Sequence, residues 1–156
     1  MGTTMNAKDA ISAKLATAYI IIGTNRYLLF QAKDLEANFE KNKSEVAILG
    51  KTGVGHKSTG WNGTGSLTIY KNTELFDDMC ERFKLTGEDT YFDLQITNDD
   101  PTSAAGRSTK ILKGCNIDGA VIAAFDADGE WLEQPVDFTF EDYESPEKFK
   151  ALAGMN

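Results

Sequence analysis

The chain reads as a mainly β domain, an antiparallel sandwich or barrel with one α-helix, and three observations predict this. Short β-branched and aromatic segments recur along its 156 residues, separated by Gly, Asn and Asp turn clusters. Only one window carries apolar residues at helical spacing. Strand-like segments are not interleaved with helices in the βαβ rhythm that a parallel sheet requires.

In order, residues 1–15 are polar and alanine-rich and predict a flexible or partner-ordered arm. Thr17–Ile22 and Tyr27–Lys33 flank Gly23-Thr24-Asn25-Arg26, a hairpin signal. Leu35, Ala37 and Phe39 alternate with Glu36, Asn38 and Glu40, the period of a half-buried strand. After the short apolar run Val46–Leu49 come six glycines in the sixteen residues from Gly50 to Gly65, which predict a flexible inter-strand loop. A strand over about 64–71 follows.

The predicted helix spans about 73–86. Thr73 can cap it, and Glu74, Asp77 and Asp78 place negative charge at the positive end of its dipole. Leu75, Met79 and Phe83, with Phe76 and Cys80 beside them, form its apolar stripe. Gly87 offers a left-handed stop. Beyond it, Phe92, Leu94 and Ile96 alternate with polar neighbours, and Asn98–Gly106 reads as a loop. Thr109–Ile117 and Ile117–Phe125 are expected as one long strand bent around Gly119. Asp126–Gly129 is a turn, Trp131–Glu141 the last strand, and residues 145–156 a patternless tail.

A chain of this length is one domain, 1–156, with enough residues for a real core. Its net charge of −8 and pI near 4.6 argue against a general nucleic-acid binder, which needs a basic footprint. The same charge suits a surface past which DNA slides without adhering. Cys80 and Cys115 are distant from each other and outside any C-x-x-C spacing, so both read as small core residues in a reduced compartment. The apolar run Leu15–Ile22 is too short to span a bilayer, and no small-residue cleavage site follows it.

Gly50–Ser58, GKTGVGHKS, invites comparison with a phosphate loop. His56 stands where the lysine belongs, Lys57 and Ser58 fall one place late, and a strand follows where the helix should begin. The single histidine cannot build a metal site alone, and no nucleophile or cofactor fingerprint is present. No catalytic, cofactor or metal residues are assigned.

Two stretches resemble the tail tube protein family of phages, in particular the branch of contractile-tailed phages and defective prophages of Gram-positive bacteria. They are EANFEKNKSEV leading into GVGHKSTGWNGTG, and VDFTFEDYESPEK. The likeness spans roughly residues 30–148. It implies a two-sheet β-barrel flanked by a helix, and no catalysis. It also implies self-assembly into hexameric rings that stack as the hollow inner tube of a virion or phage-like tail, made in the bacterial cytoplasm. Implied partners are the chain itself, the tail sheath, the baseplate and the terminator, with DNA as passing cargo at most and no membrane.

From Asp126 to Glu147 there are nine carboxylates and no basic residue. Asp126-Ala-Asp-Gly129 starts like an EF-hand loop but lacks its third ligand. A monomeric module binding carbohydrate or calcium, using this turn and Trp131 or Trp61, is the alternative function. Val136, Phe138 and Phe140 alternate with Glu133, Asp137 and Glu141, giving one apolar and one acidic face. With the family resemblance, the acidic residues become candidates for lining the lumen. Lys41, Lys43, Lys51, His56, Lys57 and Trp61 become candidates for an inter-subunit loop whose positive charge meets the acidic 126–147 region.

Overall fold

The computed structural model describes residues 4–29, 31–152 and 154. Its eight strands are β1 (Ala16–Ile22), β2 (Asn25–Leu28), β3 (Ala32–Ala47), β4 (Val54–Tyr70), β5 (Phe92–Asp99), β6 (Arg107–Ile117), β7 (Glu133–Phe140) and β8 (Asp142–Glu147), with helix α1 at Leu75–Thr86. All pairings are antiparallel, in the continuous order β2-β1-β5-β6-β7-β4-β3. β6 is the pivot. Most of its length pairs with β5 and β8, while its last two residues, Asn116 and Ile117, pair with β7.

The first hairpin is tighter than expected, with Asn25 and Arg26 already in β2 and Gly23 taking the left-handed φ of 61° that the turn needs. The expected strand through Lys33 crosses Phe30, which lies outside the described residues. Residues 1–3, 153, 155 and 156 of the expected arm and tail lie outside them too. Within the arm, the Asp9 carboxylate accepts from Ala104 N–H at 2.9 Å, and Ser12 N–H donates to Asp100 at 3.0 Å. The segment is thereby tied to the β5–β6 loop.

The largest correction concerns Gly50–Gly65. Only residues 48–53 turn; Gly55, Gly60, Gly63 and Gly65 lie inside the 17-residue β4. The glycines at 63 and 65 are there for close approach. Gly63 stands opposite Phe140 and Gly65 opposite Phe138, and the two rings lie over the missing side chains. A Cβ on Gly63 would fall 2.5 Å from the Phe140 ring. Composition alone cannot separate a glycine that bends a loop from one that admits an aromatic ring.

The expected second half of the bent strand, 118–125, is also absent. Asp118 N–H donates to Asp137 O and ends the ladder, and 118–132 runs without regular structure. The last expected strand starts later, at Glu133, so Trp131 stays 68% exposed. In place of the tail's first residues comes β8, which sequence alternation missed. It is an edge strand of carboxylates and Pro146, held to β6 by Arg107–Glu147 and Lys113–Glu144 ion pairs.

α1 forms where expected and ends at Gly87, whose left-handed φ is 75°. Its buried face is centred on Phe76 and Met79. Phe83 is 52% exposed and so drops out of the expected stripe. Thr73 Oγ1 accepts from Leu75 N–H at 3.3 Å. The core joins Phe76 and Met79 to Ile20, Leu67, Leu94 and Cys115, and to Val136 and Phe138 of β7. Burial pushes the Cys115 thiol up to about 12, as befits a core residue.

Candidate assembly site

From Gln134 to Phe140, β7 shows the predicted alternation, while Leu132 and Glu141 of the expected strand fall outside it. Gln134, Val136, Phe138 and Phe140 are buried, and Pro135, Asp137 and Thr139 are exposed. Gln134, the polar exception on the inner face, has a local reason. Its Nε2 donates to Asp77 Oδ1 at 3.5 Å, and Lys71 Nζ pairs with Asp77 Oδ2 beneath α1, both partners almost fully covered. Burial pushes the Asp77 carboxyl up, but hydrogen bonds from Lys71, Glu74 and Gln134 and the Lys71 charge outweigh it, leaving a net lowering.

The outward face of β7 does not stand alone. Ladder pairing sets Asp137 beside Ser66 and Ser66 beside Glu36; Thr139 lies beside Thr64 and Thr64 beside Asn38; Pro135 lies beside Thr68 and Thr68 beside Asp34. Glu40 and Asn62 continue the pattern. The result is a three-strand face of hydroxyls, amides and carboxylates. Of its β3 acids, Glu36 and Glu40 were visible in the sequence as the polar half of an alternation, and Asp34 was not. Only the register reveals that they share a surface with Asp137. Glu133 holds the one ion pair on this face among the described residues, to Lys33 at 2.8 Å. Glu141 sits just past β7 in the bend before β8, exposed, with its N–H donating to Lys113 O at 3.0 Å.

The six residues assigned to an inter-subunit loop fall on a β ribbon instead, apart from Lys51 in its turn. β7 leaves β4 at Gly63, so Val54–Asn62 pairs only with β3. At about 3.3 Å per residue this ribbon overhangs the body by roughly 30 Å. Lys41 pairs with Trp61, Lys43 with Ser58, His56 with Glu45 and Lys57 with Ser44. Trp61 is half-buried in an aromatic cluster. It stacks on Phe39 with centroids 4.7 Å apart, and Tyr143 and Phe140 close the cluster at 6.1 and 6.2 Å. This cluster anchors the ribbon's root. Farther out, every residue from Glu40 to Gly50 is exposed. A two-stranded ribbon is marginal in water by itself, so this one suits a partner surface.

The acidic 126–147 region is less uniform than its composition. Glu133, Glu144 and Glu147 are paired within the chain to Lys33, Lys113 and Arg107. The Asp126 carboxylate accepts from Asp128 N–H at 3.0 Å, as a turn aspartate does. Among the described residues no group of three or more His, Cys, Asp or Glu is placed to hold a metal ion.

A family model described as phage tail tube protein matches residues 3–147. The phage-like element PBSX protein XkdM of Bacillus subtilis (strain 168) is 49% identical over 116 residues, covering 74% of this chain and 79% of XkdM. Among solved structures, a chain of the anti-feeding prophage baseplate superposes with a TM-score of 0.65 at 13% identity, covering 93% of this chain and 97% of that one. A chain of an extracellular contractile injection system, the PVC sheath–tube complex in its extended state, gives 0.60 at 12% identity, covering 82% and 86%. The fold is thus shared with a chain of that baseplate and a chain of that sheath–tube complex. By the extent of the family match and the identity to XkdM, the chain belongs to the phage tail tube protein family.

Proposed function

We propose that copies of this chain close into hexameric rings and that the rings stack into the hollow inner tube of a tail. In this reading the polar, acidic face of β3, β4 and β7 lines the lumen. Glu133, Asp137 and Glu141 contribute to it together with Asp34, Glu36 and Glu40. The observation that carries the reading is that face itself: a continuous three-strand surface of short polar and anionic side chains directly behind the apolar core. Such a wall repels phosphate and leaves a DNA or other polyanionic cargo mobile.

The β3–β4 ribbon, with Lys41, Lys43, Lys51, His56, Lys57 and Trp61, serves contacts between copies. The subunit acts by shape and self-association, without catalysis. It is made in the host cytoplasm and ends in the tail of a virion or phage-like particle. The sheath, the baseplate and a terminator are its further partners; the superposition on chains of a baseplate and a sheath–tube complex supports the shared architecture. Among the described residues no helix is long and apolar enough to cross a membrane.

Sedimentation of the purified protein across a concentration series, with electron micrographs of the heavy fraction, tests the proposal. Six-fold rings and hollow tubes of uniform bore are expected. A strictly monomeric protein at all concentrations overturns it and returns the monomeric binding module to first place.

A further inference from the structure

The ribbon ends in an apolar tip. Val46, Ile48, Leu49 and Val54 gather around the turn and are all exposed, Leu49 completely. Lys51 lies in the same turn, Lys43 and Lys57 flank it, and none of the three takes part in the ion pairs among the described residues. Among the described residues nothing covers Leu49, and Val46, Ile48 and Val54 are each left about half exposed. A basic-flanked apolar knob on a two-stranded stalk calls for a socket that is apolar and acidic.

The molecule carries such a surface at its other end. β4 runs from the tip to Tyr70, which pairs with Glu133, and Glu133 directly follows the irregular segment 118–132. The tip and this segment therefore lie at opposite ends of one strand pair. In the segment Ile122, Phe125 and Trp131 are 72%, 95% and 68% exposed. Its acids Asp118, Asp126, Asp128 and Glu130 join none of the ion pairs among the described residues. Beside its start, a cleft of about 380 Å³ opens between α1 and β6, lined by Met79, Cys80, Phe83, Ile117 and Asp118. A cleft of that size holds several aliphatic side chains.

We propose that the ribbon tip of one copy seats on the α1/118–132 surface of the next, placing Leu49 and its neighbours against Phe125, Ile122 and the Phe83 cleft. The flanking lysines face Asp126, Asp128 and Glu130. Knob and socket are different patches at opposite ends of the subunit, so the contact is head-to-tail and repeats without closing on itself, as a growing filament requires. The assignment rests on the self-assembly proposed above and names the surface that executes it. It also gives 118–132 a role: its large apolar side chains are exposed in the subunit because another copy covers them.

Leu49→Asp and Phe125→Asp test the pairing, since both side chains are almost fully exposed and neither change disturbs the core. Each variant should keep the wild-type circular dichroism and melting transition. Each should raise the protein concentration needed for tube growth by about 30-fold, the factor carried by one strong interface residue. In a Cys80→Ser background, Leu49→Cys chains mixed with Phe125→Cys chains should be joined by a short bismaleimide into covalent dimers, and neither should crosslink when assembled alone. If wild-type protein forms tubes and both Asp variants form them equally well, the docking is wrong and the tail tube reading stands. A crosslink that fails in tubes that do form overturns the docking in the same way. If wild-type protein never assembles, both proposals fall.

Discussion

Gly65→Ala probes the strand that composition hid. A Cβ at this position would lie 2.7 Å from Phe138 Cε2 and 2.8 Å from the Glu36 carbonyl oxygen. Neither neighbour can yield cheaply. Phe138 is 2% exposed and packed on all sides, and Glu36 sits in the β3–β4 ladder one register place from the substitution. Forcing a methyl into a packed site costs about 1–3 kcal/mol, and two fixed neighbours place this case at the upper end. The lower chain entropy of unfolded alanine returns about 0.4–1 kcal/mol. The net loss is about 2 kcal/mol, or roughly 4–8 °C in Tm for a chain of this size. Gly53→Ala, with nothing within 4 Å of the added carbon, is the matched control and should melt at or slightly above wild type. Thermal melts by circular dichroism, at concentrations below assembly, measure both. A Gly65→Ala protein melting at or above wild type would refute the close approach of Phe138 and with it the β4–β7 register.

Met79→Asp places an unpaired carboxylate where the side chain is 7% exposed and should leave no cooperative unfolding transition, whereas Phe83→Ser, at a half-exposed site, should melt within a few degrees of wild type. Asp77 has a folded-state pKa held below its ordinary value, so its contribution is present above the unfolded value near 3.8 and is lost as pH falls through the lower folded one. Urea midpoints from pH 7 down to pH 2 should accordingly fall more steeply for wild type than for Asp77→Asn. Reversing charge at Glu133, Asp137 and Glu141 together, each to Lys, should cost little stability beyond the exposed Lys33 pair, about 0–1 kcal/mol. Tubes of that variant should retain short oligonucleotides in the channel with a steep salt dependence, and binding confined to their outer surface would remove these residues from the lumen.

Segments whose local pattern and tertiary role agree were legible in the sequence. β7 shows its inner and outer faces by period two, and α1 shows its dipole charges at Asp77 and Asp78 and its glycine stop, while its N-cap falls on Glu74 and not on the expected Thr73. What escaped depends on distant partners. The first half of β4, residues 54–63, looked like a loop because composition cannot show that a glycine such as Gly63 answers to Phe140, some seventy positions away in the chain. β8 looked like a tail because basic residues on β6, not apolar alternation, hold it. Phe83 looked like core because helical spacing cannot say how wide the buried stripe is. At the candidate site, the acidic row on β7 was readable, but its continuation through Glu36 and Glu40 required the register of β3 against β4. The lysines of the expected loop stand on a ribbon and its turn, and three of the acids expected to face them are paired within the chain.

The most direct measurement is a cryo-electron microscopy map of the assembled protein at side-chain resolution. Six subunits per ring are expected, with Glu36, Ser66 and Asp137 side by side on the channel wall. Rings in which that three-strand face points to the outside, or assemblies without six-fold symmetry, would contradict the tube proposal.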